Sequence, residues 1–207
     1  MSRTTLQRHP ERGLSETDAA YAILDEAFIC HVGFVDTGPV VIPTTYTRVG
    51  NRLYLHGSPR SRMMNVLRYG SPVSVAVTLL DGLVLETSGF NHSMNYRSVV
   101  IFGRAAEVTD PSEKRRVLDA IVEHLIPDRL RHLRPMTDKE VDATMVIAVP
   151  LDEVSVKSRQ GPPEHHDDWP VWTGVLPLRL TSGAPERFAG EVAEPDHVTR
   201  FVALHMQ

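Results

Sequence analysis

Apolar residues fall mostly in short alternating or β-branched runs closed by turn residues, and only a few stretches carry the three-and-four spacing of a helix. Residues 28–35 read as a buried strand, 36–39 as a turn and 40–46 as the returning strand of a hairpin. Pro43 has no N–H to give to a ladder, so its strand should break or lie at an edge there, leaving backbone groups around Thr44 free. Residues 52–56 alternate plainly and stop at Gly57-Ser58-Pro59, after which Arg60 opens a helix over 60–69. A strand follows over 71–80, and Asp81-Gly82 signals a hairpin into 83–87. Val99-Val100-Ile101-Phe102 reads as a strand buried on both faces, with Gly103 marking a bulge or a close backbone approach. The last two strands are expected over 145–149 and 153–157.

Three helices complete the pattern. One spans 16–27, opened by Ser15 and Asp18 as a variant capping box, with Ala20, Ile23, Leu24 and Ala27 on one face. Another spans 111–125, with Pro111 at its first position and Val117, Ile121, Val122 and Leu125 as its buried stripe. A short one covers 137–143. Many strands with few long helices predict a mainly β barrel or sandwich rather than alternating βαβ units.

With 207 residues, 42% hydrophobic and 23% charged, the chain suits one well-buried domain over 1–207, its core over about 8–178 and its tail over 179–207 weakly patterned. A net charge of −4 gives no global attraction for nucleic acid or an anionic membrane, so any phosphate site must be local. The single cysteine, Cys30, excludes an internal disulfide, and the polar start of the chain and lack of a long apolar run predict a cytoplasmic location. Cys30 lies in an apolar strand and reads as inert packing.

The chemistry concentrates in two places. Arg60, Ser61, Arg62 and Met63 stand where a strand turns into a helix, so that two guanidiniums and a helix start converge on a candidate anion site. Asn91–Arg97 gathers donors, a ring and a planar cation just before the 99–102 strand, where Arg97 offers a fork matched to phosphate oxygens. The spacing of the histidines matches no metal site; His165-His166 beside two aspartates is only a weak metal candidate.

These segments, with Val41-Ile-Pro-Thr-Thr-Tyr46 and His56-Gly-Ser-Pro-Arg-Ser-Arg-Met63, resemble the pyridoxamine 5'-phosphate oxidase-like family of flavin-binding split barrels, in the branch that includes nitroimidazole-resistance proteins. The resemblance covers about residues 8–178. It implies an antiparallel split β-barrel of six to seven strands with peripheral α-helices, and a flavin-dependent oxidoreductase acting on a small molecule. FMN is the implied cofactor, with FAD or haem left open. By the resemblance, backbone groups at Pro43 and Tyr46 and the side chains of Thr44 or Thr45 face the ring, and Ser61 and Arg62 take the phosphate, with Met63 where relatives often carry Lys. Asn95, Tyr96, Arg97 and Ser98 would approach the ribityl chain and phosphate, and Trp172 the flavin or the partner subunit. The implied assembly is a homodimer with a shared site, and Arg48 is assigned to solvent. The alternative is a haem-binding or non-catalytic cofactor-carrying protein, with His31, His56 or His92 as axial ligand.

Overall fold

Strand β2 (Ile29–Val35) turns back on β3 (Pro39–Val49), and β3 on β4 (Arg52–Gly57), giving two successive antiparallel hairpins. The computed structural model describes residues 13–14, 17–164, 168–188 and 193–205. Strand β4 pairs with β7 (Met145–Pro150), β7 with the end of β6 (Ser93–Glu107), β6 with β5 (Tyr69–Leu85), and β5 returns to β2. These six strands therefore close on themselves as an antiparallel barrel. Strand β8 (Glu153–Arg159) carries β1 (Gly13–Leu14) and takes the edge of β6 from Tyr96 to Phe102, whereas β7 takes the same edge at Ala106 and Glu107. Between the two pairings lies Gly103, where a Cβ would stand 3.3 Å from Val149 Cγ1. That close approach is the split in the barrel, and it is the one Gly103 predicted.

Alternation sends Cys30, Val32, Leu53, Leu55, Val75, Val77, Val99, Ile101, Ile147 and Val149 inside, all fully buried. Each such Val, Leu or Ile contributes about 1.5–3 kcal/mol. Helix α1 (Thr17–Glu26) closes the end where β2 begins, by Ala20, Ile23 and Leu24. Helix α2 (Arg62–Leu67) closes the opposite end by Met63, Met64 and Leu67. Tyr46 is wholly buried, and its hydroxyl donates to the Leu24 carbonyl oxygen at 2.7 Å, tying barrel to lid. Tyr46→Phe leaves that carbonyl unpaired and should cost about 1–2 kcal/mol, read as a lower midpoint in urea at unchanged slope.

Helix α3 (Pro111–Leu125) lies outside, packing Val117, Leu118 and Ile121 on Tyr54, Val146 and Ala148. Asp110 caps it by accepting from Ser112 N at 3.0 Å. Helix α4 (Asp138–Asp142) carries a full capping box between Thr137 and Glu140. Ser15, expected to cap α1, lies outside the described residues.

Two expectations change. Asp81-Gly82 is not a hairpin turn but an irregularity inside the continuous strand β5, between the pairs Leu80↔Tyr96 and Gly82↔Asn95. The cause is long-range: β9 (Gly174–Pro177) pairs along residues 82–85, and a Cβ on Gly82 would stand 3.0 Å from the Leu176 oxygen. The tail is also more ordered than its periodicity suggests, ending in helix α5 (Asp196–His205).

Candidate functional site

Strand β3 pairs with β2 from Pro39 to Thr45, but its register with β4 starts only at Tyr46. Among the described residues its other edge is thus without a partner strand around Thr44, and an open edge presents backbone donors and acceptors to whatever lies beside it. Pro43 is exposed, and the ladder to β2 runs through it without a break. Alternation turns Thr45 to the outer face and Thr44 towards the interior side with Ile42 and Tyr46. The pair Tyr46↔Leu55 sets His56 beside Thr45 on that outer face. Burial pushes the His56 imidazole below its ordinary range, and its Nδ1 is buried with no hydrogen-bond partner among the described residues.

At the end of this edge the chain turns tightly through 58–61. Ser61 N donates to the Ser58 oxygen at 2.9 Å, and Asn65 Nδ2 donates to the Pro59 and Ser61 oxygens at 2.7 and 2.9 Å. Arg60 and Arg62 are exposed, and Arg62 makes only a loose pair with Asp36 at 3.6 Å. Helix α2 has just six residues and Ser61 makes no side-chain cap, so the two arginines, rather than the helix end, supply the positive charge. Burial limits what two of the expected residues offer. The Tyr46 side chain belongs to the core, and Met63 is only 5% exposed because the first turn of α2 drives it into the barrel end.

The second expected cluster sits elsewhere. Alternation along β6 points Arg97 to the same side as Val99 and Ile101, while Tyr96 and Ser98 point outward. The side chains of Tyr96 and Ser98 therefore face the opposite side from that of Arg97. Ser98 Oγ donates to the Lys157 oxygen at 3.2 Å, and Asn95 is buried, bonded to Arg159 Nη1 at 2.6 Å and to the Gly161 oxygen at 3.1 Å. Arg97, expected to fork a phosphate, instead forks Asp81 (Nε–Oδ2 2.9 Å, Nη2–Oδ1 2.8 Å) and Glu26 (Nη2–Oε1 2.8 Å). Those two carboxylates, Glu26 first, hold the guanidinium firmly protonated.

Nor do Arg62 and Arg97 meet in one chain. Asp36, which holds Arg62, lies just past the end of β2, whereas Arg97 pairs with Leu79 of β5, five residues beyond the Ser74 that faces Gly33. Along the strands that path covers eight residues, about 26 Å at roughly 3.3 Å per residue. Trp172 is 67% exposed near the far end of β5, folded over Gly174, where a Cβ would stand 2.6 Å from its ring. Arg48, assigned to solvent, is paired with Asp25 at 2.6 Å and lies 4.1 Å above the Tyr21 ring.

Of the three histidines singled out, His31 is exposed on the outer face, and His92 is exposed with Nδ1 at 2.8 Å from the Ser88 oxygen. His56 alone couples burial with an unpartnered ring nitrogen. Burial pushes the Cys30 thiol up to about 12, in keeping with inert packing. Among the described residues no group of three or more His, Cys, Asp or Glu is placed to hold a metal ion, and His165-His166 lies outside them. No helix among them is long and apolar enough to cross a membrane. Sequence reasoning missed the ring of His197, which is 3% exposed and stacked on His132. Only three-dimensional folding of the tail makes that pair.

The outer face also carries an apolar strip. Ile29, Val35 and Val41 are 53%, 69% and 66% exposed on β2 and β3, and Leu80 and Met94 extend the exposed apolar surface along β5 and β6. Antiparallel sheets usually turn a polar face to water, and here that face carries these exposed apolar side chains instead.

No curated protein matches the chain. Among solved structures, the flavocytochrome Anf3 from Azotobacter vinelandii is 35% identical, with 97% of this chain and 96% of that one covered and a TM-score of 0.89. The FAD and haem binding protein from Mycobacterium smegmatis is 34% identical over 91% of this chain and 96% of its own, with a TM-score of 0.86. A protein assigned to 5-nitroimidazole antibiotic resistance from Bacteroides thetaiotaomicron is 26% identical over 70% of this chain and 85% of its own, with a TM-score of 0.58. Residues 16–158 match the family model described as pyridoxamine 5'-phosphate oxidase. Closed six-strand barrel, split edge and matched length agree, and the chain belongs to the pyridoxamine 5'-phosphate oxidase-like family of split barrels.

Proposed function

We propose that this protein is a flavin-dependent oxidoreductase of the cytoplasm that acts on a small molecule as a homodimer, with FMN the expected cofactor. The observation that carries the reading is the unpaired edge of β3 around Thr44, lying beside Thr45 and His56 and ending at Arg60 and Arg62. Backbone groups of an open edge suit the hydrogen-bonding rim of a flavin ring, and the two exposed guanidiniums suit its phosphate. The flavin, when bound, supplies the electron transfer. The chain's own part is to hold the ring against β3 and keep water from one face. In the homodimer the apolar strip across β2, β3, β5 and β6 is the isologous interface, and Tyr96, Ser98 and Trp172 of one subunit complete the site of the other. That arrangement accounts for why the two clusters stand apart within one chain. The test is the absorbance of the purified protein: a band near about 450 nm is expected, and a colourless protein that FMN does not colour would overturn the reading.

A second reading, haem in addition to flavin, is favoured by the two relatives at 35% and 34% identity, which are a flavocytochrome and an FAD and haem binding protein. His56, with its buried unpartnered Nδ1, is the side chain of the three candidates that fits an axial ligand. A sharp band near about 410 nm that His56→Ala abolishes is the expected signature, and its survival in that variant excludes His56.

A further inference from the structure

The tail helix α5 packs back on the barrel through Phe201, whose ring lies 6.4 Å from Phe28, and its first turn lies against the 3₁₀ turn Arg129–His132. Between them is a cavity of about 390 Å³ lined by Asp128, Arg131, His132, Asp196, His197 and Arg200. The rings of His132 and His197 stack at 4.4 Å and 25°. His197 is buried, lines the cavity, and neither of its ring nitrogens finds a hydrogen-bond partner among the described residues. Two unpartnered ring nitrogens in a buried side chain are costly unless something meets them.

The surrounding charges say what would. Arg131 and Arg200 both turn to one carboxylate, Asp128, at 3.2 and 3.0 Å, so two guanidiniums share a single counter-ion. Burial first, then His132, Arg129 and Arg200, push the His197 imidazole below its ordinary range, while Asp128 acts the other way. The positive end of a ten-residue helix adds to the same field. Two arginines and two imidazoles thus line the cleft with two carboxylates, while Arg129 and Glu123, whose carboxylate accepts from Asp128 N and Leu130 N at 2.7 and 2.8 Å, stand behind the turn, and Asp128 occupies the place an anion would take.

We propose that this cleft is a binding site for a doubly charged oxyanion of the phosphate or paired-carboxylate class, separate from the open edge of β3. Arg200, Arg131 and His197 grip the oxygens, and Asp128 competes with the ligand for both arginines. Asp128 sits at φ 67°, a left-handed conformation that asparagine accepts as readily, so Asp128→Asn removes the competing charge with little change in shape.

The test is calorimetric titration of the full chain with inorganic phosphate in chloride buffer. Saturable one-site binding is expected, weakened about tenfold or more in Arg200→Gln and tightened several-fold in Asp128→Asn. Arg104→Gln, whose guanidinium donates to the Gly70 oxygen at 2.9 Å and lines no part of the cleft, serves as the control and should bind as the parent does. A tightening in Asp128→Asn separates a ligand site from a merely structural charge cluster, which would only weaken. Repeating the titration on flavin-loaded and haem-loaded protein identifies the source: competition assigns the cleft to that cofactor's anionic arm, and unchanged binding assigns it to a free oxyanion. Absence of saturable phosphate binding by the parent, or variants that all bind alike, overturns the proposal.

Discussion

Ala76→Arg is expected to make the protein monomeric and to lower its flavin affinity by more than about a hundredfold. Ala76 lies in the middle of the outer face, paired with His31 on one side and Val100 on the other, while its neighbours Val75 and Val77 point into the core. An arginine there points away from the barrel and leaves its packing alone. In an isologous dimer the same position enters the interface twice, and each unpaired buried charge costs several kcal/mol. Loss of the partner then removes Tyr96, Ser98 and Trp172 from the flavin. Sedimentation velocity and fluorescence titration with FMN read the two effects separately. A variant that stays dimeric, or a monomer that binds FMN as the parent does, contradicts the shared site.

Particular residues show how far the sequence carries. Strand alternation, the close approach at Gly103 and Pro111 at the first position of its helix are local signals, and each reappears as a barrel strand, a split edge or a helix start. The exposure of Arg62 was legible because it stands in a turn between the end of a strand and the start of a helix. Arg97 was not: its partners Glu26 and Asp81 lie 71 and 16 residues away, and a planar cation beside a strand fits a phosphate and two carboxylates equally well. Tyr46 and Met63 carry the same lesson for burial, since only the placement of α1 and α2 over the barrel ends decides that their side chains face inward. Asp81-Gly82 has the chemistry of a turn, yet pairing with β9, about ninety residues on, keeps the strand running.

Arg62→Ala and Arg97→Ala are expected to fail in opposite ways. Arg62 is exposed and its pair with Asp36 is long at 3.6 Å, so removing it should leave stability within about 0.5 kcal/mol of the parent. As a charge-assisted phosphate contact it is worth about 1.5–3 kcal/mol, which is roughly tenfold to a hundredfold in FMN affinity. Arg97 instead holds Asp81 of the β5 irregularity and Glu26 at the end of α1, with a quarter of its side chain exposed. A half-buried fork between two carboxylates lies between the surface limit of under about 1 kcal/mol and the buried limit of about 3–5 kcal/mol. Arg97→Ala should therefore cost about 2 kcal/mol, or roughly 4–8 °C in Tm for a chain of this size, because Glu26 and Asp81 are left facing each other. Its FMN affinity, measured well below that Tm, should stay within about threefold of the parent, since its fork is already filled. Arg104→Ala is the control for both readouts; Arg48, bound to Asp25 and stacked on Tyr21, is not suited to that role. Thermal melts and fluorescence titrations of the three variants decide the matter. If Arg97→Ala loses flavin while keeping its Tm, the guanidinium leaves its carboxylates for the cofactor, and the phosphate grip belongs to β6 rather than to the turn before α2.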